Sequence, residues 1–463
     1  MKVLVCGATG CVGRAVARAL RSRGHHVVQG SRQGGSQSDP GQGWRLDFMA
    51  PVAPEAWAQR LVQARIDAIV NCVGILLPRG GQTLERVHAK GPAELFRGAA
   101  LAAMQRGLQG SPGSPALRVV QVSAFGAATG ASPYLRSKRA ADDALLALPL
   151  QATVLRPTLV YGPDCASAQV FATLASLPVV ALPGGGGQPM RPIHVFEVAE
   201  IVARCLERAE PAAGVFDIGG GDVLSYRAML AAYRQALGLG DALWLPLPMA
   251  AMRLTAHAAE ALPQQVLCRD TVDMLAQGNV PTHNAAADLL GRAPTGFADG
   301  LRVSPPQPML DLRVQLSPLV AAGLRASLAL MWLWTAAVSA LLSQGSGVLA
   351  LLARCGFEGQ AGVAMLVLLC TLNAGLGLAM LGMLGRPGPK LYALQAAAIV
   401  GYTAMAAILM PELKLNLCAP LVKNLPLLAA VLVLWLALPA GAEDRVWQER
   451  TRPLQRGAAT PTA

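Results

Sequence analysis

Val3-Leu-Val-Cys-Gly-Ala-Thr-Gly-Cys-Val-Gly-Arg14 reads as an apolar strand, a glycine-rich turn and the opening of a helix. Gly7, Gly10 and Gly13 stand where a tight turn, a close approach of backbone to a pyrophosphate, and hard packing of helix on strand leave no room for side chains. The amino end of the following helix, Ala15 to Leu20, offers its free N–H groups to negative charge. The loop is therefore read as a dinucleotide cradle, with Thr9, Cys11 and Val12 as its remaining contacts.

Outward from this loop, composition divides the chain. A hydrophobic fraction of 53% with 14% charged residues is too apolar for an ordinary soluble protein of 463 residues. The apolarity concentrates beyond residue 317. Four apolar stretches, 319–342, 360–384, 391–410 and 425–441, each approach the ~20 residues that a helix needs to cross a bilayer. Four spans return the carboxyl end inside. Arg313, Arg325, Arg386, Lys390, Arg445, Arg450, Arg452 and Arg456 then fall on the inner side, against Arg354, Lys414 and Lys423 outside. Small residues such as Gly375, Gly377, Gly382 and Gly385 predict close helix contact. Pro411-Glu412-Leu413-Lys414 reads as a solvated outer loop.

The net charge of +12 comes from scattered single arginines without interleaved aromatics, which excludes nucleic acid as a partner and favours anionic headgroups. Nine cysteines without metal-ligand spacing indicate neither a metal site nor a disulfide framework, and read as small packing residues. A strand starting at residue 2 leaves no room for a cleavable leader, so the amino-terminal domain is expected in the cytoplasm.

A second strand, His26-Val-Val-Gln29, runs into Gly30-Ser31-Arg32 without the acid that selects NAD by its ribose 2′-hydroxyl. Ser31 and Arg32 offer a hydroxyl and a guanidinium suited to a 2′-phosphate, so NADP(H) is the favoured cofactor and NAD(H) the alternative. Asp47 is placed to accept from an adenine amino group, and Asn71, Val73 and Gly74 end a further strand beside the cofactor. Tyr134 and Lys138 stand four apart behind Pro133, on one face of a starting helix. A lysine one turn away lowers a phenol's pKa, so the tyrosine can exchange a proton with a carbonyl or alcohol. Ser123 ends the strand Val119-Val-Gln-Val-Ser123, with a hydroxyl to hold the substrate oxygen.

These residues resemble the short-chain dehydrogenase/reductase family in its extended or atypical branch. Leu155-Arg-Pro-Thr-Leu-Val-Tyr-Gly-Pro163 and Pro192-Ile-His-Val-Phe-Glu-Val-Ala199 resemble further signatures of that branch, and Pro157 is added to the cofactor contacts on this ground. Leu275-Ala-Gln-Gly-Asn-Val280 and Leu289-Leu-Gly-Arg-Ala-Pro294 are similar to relatives of the nucleotide-binding accessory subunit of respiratory complex I. The remainder resembles the four-helix DoxX-like membrane domain. The resemblance implies an α/β fold with a doubly wound parallel Rossmann sheet, NAD(P) across its carboxyl edge, and Tyr134, Lys138 and Ser123 as the catalytic group. Family members often carry asparagine, supporting a relay water, where this chain has His88. Ser123 lies eleven residues before Tyr134, which leaves Thr129 and Ser132 as alternatives to it.

The domains expected are 1–240 for the nucleotide-binding sheet, 241–303 for a substrate or cap region, 304–318 for a linker, 319–441 for the four-span bundle and 442–463 for a cytoplasmic tail. Leu243 to Met252, leading into a helix with His257, reads either as a pocket lid or as a surface on the bilayer. The leading expectation is an NADPH-dependent oxidoreductase of a bacterial inner membrane, acting on a lipophilic or quinone-like carbonyl, with membrane lipid and a membrane protein complex as partners. A nucleotide-binding module without turnover is the alternative, and a nucleotide-sugar epimerase or dehydratase is the third.

Overall fold

A computed structural model describes residues 1–34, 43–78, 80–108, 117–208, 212–259, 269–308, 317–341, 348–354, 356–385, 387–409 and 424–438. The chain divides into two units. One comprises Met1–Ala175, Ala181–Gly238 and Leu245–Leu310; the other comprises Ser176–Val180, Leu239–Trp244 and Asp311–Ala463.

The first unit is built on parallel strands β1 (Lys2–Cys6), β2 (His26–Ser31), β3 (Gly43–Arg45), β4 (Ala68–Asn71), β5 (Arg118–Val122) and β6 (Gln151–Pro157). A seventh strand, Gly214–Ile218, pairs with β6, and the spatial order runs from it through β6, β5, β4, β1 and β2 to β3. The chain order reverses between β1 and β4, where connections leave in opposite directions and open a crevice at the carboxyl ends. Continuous apolar runs make these strands. Val3, Leu4, Val5 and Cys6 are all fully buried, as a central parallel strand covered on both faces requires.

Helices α1 (Cys11–Ser22), α2 (Pro54–Gln63), α3 (Gly91–Leu108) and α4 (Pro133–Leu146) connect the strands. α1 packs with the helix Val195–Glu207, and α2 packs with α3. The second contact is close because Gly98 lacks a side chain: a Cβ there would lie 2.3 Å from that of Trp57. α4 starts where Ser132 caps it, accepting from the Leu135 N–H at 3.2 Å, with Pro133 in its first turn.

The second unit contains the helices Pro318–Leu341, Val348–Arg354, Gly359–Met380, Pro389–Leu409 and Asn424–Leu436. Leu319–Leu341 and Gly359–Met380 are long and apolar enough to cross a membrane, with mean hydropathies of 1.4 and 2.1. Gly377 lets these two meet, since a Cβ on it would lie 2.6 Å from the Leu333 side chain, whereas Gly375 and Gly385 face no atom within 4 Å. Polar side chains join the helices inside. Trp332 donates to the buried Gln395 at 3.0 Å, and Tyr402 donates to Asn373 at 3.2 Å. Pro411–Lys414 and the tail 442–463 lie outside the described residues.

Candidate functional site

The glycine loop takes the shape its residues imply. Gly7 has φ +75 and donates to the Gly30 carbonyl at 2.9 Å, which folds the end of β1 onto β2. A Cβ on Gly7 would meet Cys72 and Val73 at 3.1 Å, and one on Gly13 would lie 2.1 Å from the Gly7 carbonyl oxygen. Gly10 caps α1 without any side-chain hydrogen bond, and the first turn holds no acid, so its N–H groups are open to an anion.

A cleft of about 180 Å³ runs from this loop across the carboxyl ends of the strands. Of the expected contacts it gathers Gly7, Thr9, Gly10, Ser31, Arg32, Asp47, Val73 and Gly74. Cys11, Val12 and Gly13 form the first turn of α1, and Pro157 ends β6. Phe48, Ile75, Gln82 and Val87 also line the cleft. Sequence reasoning missed these because they are apolar or sit in loops without a motif. Asn71 is turned away: its amide donates to Gln121 at 2.8 Å and its carbonyl accepts from the Val73 N–H, so it shapes the loop instead of facing a ligand.

The residues fit a dinucleotide. The cradle has space only because it lacks side chains, the α1 amino end is uncapped, and Asp47, which spends one oxygen on the Met49 N–H at 3.0 Å, lines the same cleft.

Lys138 is buried and reaches the same edge. Its Nζ donates to the carbonyls of Val73 at 3.2 Å and Val122 at 3.3 Å, and a Cβ on Gly74 would lie 3.2 Å from it. Burial lowers its pKa to about 8, opposed by the charge of Asp142. Tyr134, half-buried in the first turn of α4, is pushed up to about 12 by burial. Burial is the only cause of this shift, and the Lys138 ammonium meets two carbonyls. Ser123 departs further. Its hydroxyl donates to Asp142, a fully buried carboxylate that also binds Arg156 at 3.0 Å. His88, also fully buried, accepts from the Ile75 N–H at 2.9 Å and stands 2.8 Å from the Ser137 hydroxyl.

The other stretches are tied into the fold. Glu197 accepts from Arg292 and from the Thr295 N–H, each at 2.8 Å, which fastens Pro192–Ala199 to Leu289–Pro294. Asn279 accepts from the Leu159 N–H. Cys11 and Cys165 are joined in a disulfide, which corrects the reading of all nine cysteines as packing residues. The pairing was illegible in sequence because it joins positions separated by 154 residues. The His257 side chain lies outside the described residues.

Residues 3–219 match the NAD dependent epimerase/dehydratase family, and residues 329–432 match the DoxX-like family. The NADH dehydrogenase [ubiquinone] 1 alpha subcomplex subunit 9 of Arabidopsis thaliana mitochondria is 27% identical over 234 residues, 48% of this chain and 54% of that one. The chain thus spans about half the length of the curated relative it matches. Among solved structures, UDP-glucuronic acid 4-epimerase from Bacillus cereus, in complex with UDP-glucuronic acid and NAD, is 17% identical with a TM-score of 0.48. That comparison covers 66% of this chain and 98% of the other. UDP-glucose 4-epimerase from Thermotoga maritima, with UDP-glucose, is 16% identical with a TM-score of 0.46, covering 66% and 97%.

A Rossmann domain that matches the NAD dependent epimerase/dehydratase family over residues 3–219 is therefore followed by a helical, membrane-associated domain that matches the DoxX-like family. Two expectations are corrected. NADP(H) gives way to NAD(H), because the matched family is NAD dependent; accordingly the Ser31 hydroxyl, counted toward a 2′-phosphate, donates to the Gly34 carbonyl at 2.7 Å. The lipophilic or quinone-like substrate, with membrane lipid as its companion ligand, gives way as well. The family matched by residues 3–219 is one of NAD dependent epimerases and dehydratases.

Proposed function

We propose that this chain is a membrane-attached, NAD-dependent epimerase or dehydratase acting on a nucleotide-activated sugar. The observation that carries the reading is the position of Lys138: one helical turn from Tyr134, its ammonium touches the Val73 carbonyl, in the wall of the cofactor cleft. This contact supports reading Tyr134 and Lys138 as a proton-transfer pair beside the cleft. Bound NAD would supply a hydride acceptor for an alcohol carbon.

The chain's own groups do the rest in this reading. The glycine loop and the open end of α1 hold the pyrophosphate, Asp47 takes the adenine amino group, and the rim at Ser31 and Arg32 faces the ribose. Tyr134 accepts the alcohol proton at its phenolate oxygen as the carbonyl forms, and returns it when the alcohol is remade. Lys138, protonated, favours that phenolate once a ligand draws it from its two carbonyls. Ser123 serves the site through Asp142 and Arg156.

The helical domain is proposed as four spans in a bacterial inner membrane, with the sheet domain and the tail on the cytoplasmic side. The helices Pro318–Leu341, Gly359–Met380, Pro389–Leu409 and Asn424–Leu436 support this by position, and the bias of arginine and lysine supports the orientation. The expected domain limits, with a cap region over 241–303, are retained in this reading.

The test uses the full chain in detergent, with UDP-glucose and UDP-glucuronic acid as probes. Retained NAD and an epimerised or dehydrated product support the proposal. Retained NADP, or no change in any UDP-sugar with NAD bound, overturns it.

A further inference from the structure

We propose that His88 is a positioning residue for Tyr134: locked as one neutral tautomer, its ring braces the cofactor-lining loop against the first turn of α4 and carries no proton of its own. This rests on reading Tyr134 as the proton-transferring group. The hydrogen bonds fix the tautomer. The Ile75 N–H can only donate, so His88 Nε2, 2.9 Å away, is the bare nitrogen and the ring proton sits on Nδ1. The Ser137 hydroxyl donates to the Tyr134 carbonyl at 2.7 Å, which leaves its oxygen to accept from His88 Nδ1 at 2.8 Å. Every donor in this chain is used once.

The ring also touches Tyr134 directly. The two rings meet edge to face, with centroids 5.5 Å apart and planes at 83°. A single imidazole thus steadies both the carbonyl and the phenol ring of Tyr134, from a π-helical turn, Glu85–Lys90. Its far side meets the cleft wall. A Cβ on Gly74 would lie 3.6 Å from His88 Nε2. The titratable groups set against it are Lys138 and Tyr134, both from α4. A second ring proton would have to sit on Nε2, where the Ile75 N–H already points, beside the Lys138 ammonium. Burial and that ammonium push the His88 pKa down to about 2. The partner of Nε2 is a backbone N–H, which gives up no proton, so the ring has nothing to relay from that side.

The test labels the full chain in detergent with ¹⁵N-histidine, assigning His88 by the signal lost in His88→Asn. The expected spectrum is a neutral ring protonated at Nδ1, unchanged from about pH 5 to about pH 8. Titration within that window, or a proton on Nε2, overturns the proposal. Two half-mimics supply the second readout. Asparagine keeps an N–H toward Ser137 but loses the acceptor for Ile75; glutamine keeps an acceptor toward Ile75 but loses the donor to Ser137. Both variants lose the ring contact to Tyr134 and are expected to lower kcat about tenfold, while His88→Asn alone, having lost the acceptor for Ile75, is also expected to weaken NAD⁺ binding about tenfold. Equal losses in both, tracking a fall in melting temperature, would make His88 merely structural and overturn it. If the wild-type chain converts no UDP-sugar, the functional reading fails, while the imidazole spectrum still decides this one.

Discussion

Ser123 donates its hydroxyl to Asp142 at 2.8 Å, and Arg156 closes on the same carboxylate oxygen at 3.0 Å. Asp142 is fully buried, and burial raises its pKa against the opposing pull of Ser123 and Arg156. With its hydroxyl proton engaged there, Ser123 helps hold the buried Asp142–Arg156 pair. Ser123→Ala should cost about 1 kcal/mol in denaturant melts and lower turnover less than about tenfold. Asp142→Ala, which strands the Arg156 guanidinium, should cost about 3–5 kcal/mol. Activity lost in Ser123→Ala at unchanged stability would return Ser123 to the substrate.

The glycine loop makes a sharper demand at Gly13. A methyl there would lie 2.1 Å from the Gly7 carbonyl oxygen, a backbone atom that cannot rotate aside. Gly13→Ala should push α1 off β1, destabilise the domain by about 1–3 kcal/mol and abolish measurable NAD⁺ binding by calorimetry. Wild-type affinity in that variant would mean the helix has slack the packing does not show.

Lys138 sets opposed pH trends. Its folded pKa, about 8, lies below its usual 10.5, so between those values the unfolded chain binds more protons and this group's contribution to stability grows as pH rises. The ammonium that Tyr134 needs disappears over the same range. Turnover should therefore fall above about pH 8 while the melting temperature, corrected with Lys138→Met as reference, does not. A parallel decline of both would place the titration elsewhere.

The disulfide between Cys11 and Cys165 closes a separation of 154 residues. By loop entropy it removes roughly 5 kcal/mol of freedom from the unfolded chain. Reductant should lower the melting temperature of the wild type and leave Cys165→Ser unmoved. Both thiols titrating free in unreduced protein would contradict the pairing.

Local pattern carried most of the fold and part of the site. The strand-turn-helix at Gly7 to Gly13 and the Tyr134–Lys138 spacing were legible because their geometry is set within one or two helical turns. Orientations that depend on distant partners were not. Nothing near Ser123 announces Asp142, and nothing near His88 announces Ile75 or Ser137. Arg32 invited a 2′-phosphate because an isolated guanidinium looks the same in sequence whichever ribose it faces. Asn71 looked like a ligand contact because it ends β4 at the cleft, yet its amide is spent on Gln121.

The central claim is that Tyr134 moves a proton beside bound NAD, and one comparison tests it most directly. Tyr134→Phe and wild type, purified as full chains in detergent, are matched for retained NAD and assayed with UDP-glucose and UDP-glucuronic acid. Equal NAD content and a turnover about 10²–10⁴-fold lower in the variant are expected. Equal turnover in the two proteins would contradict it.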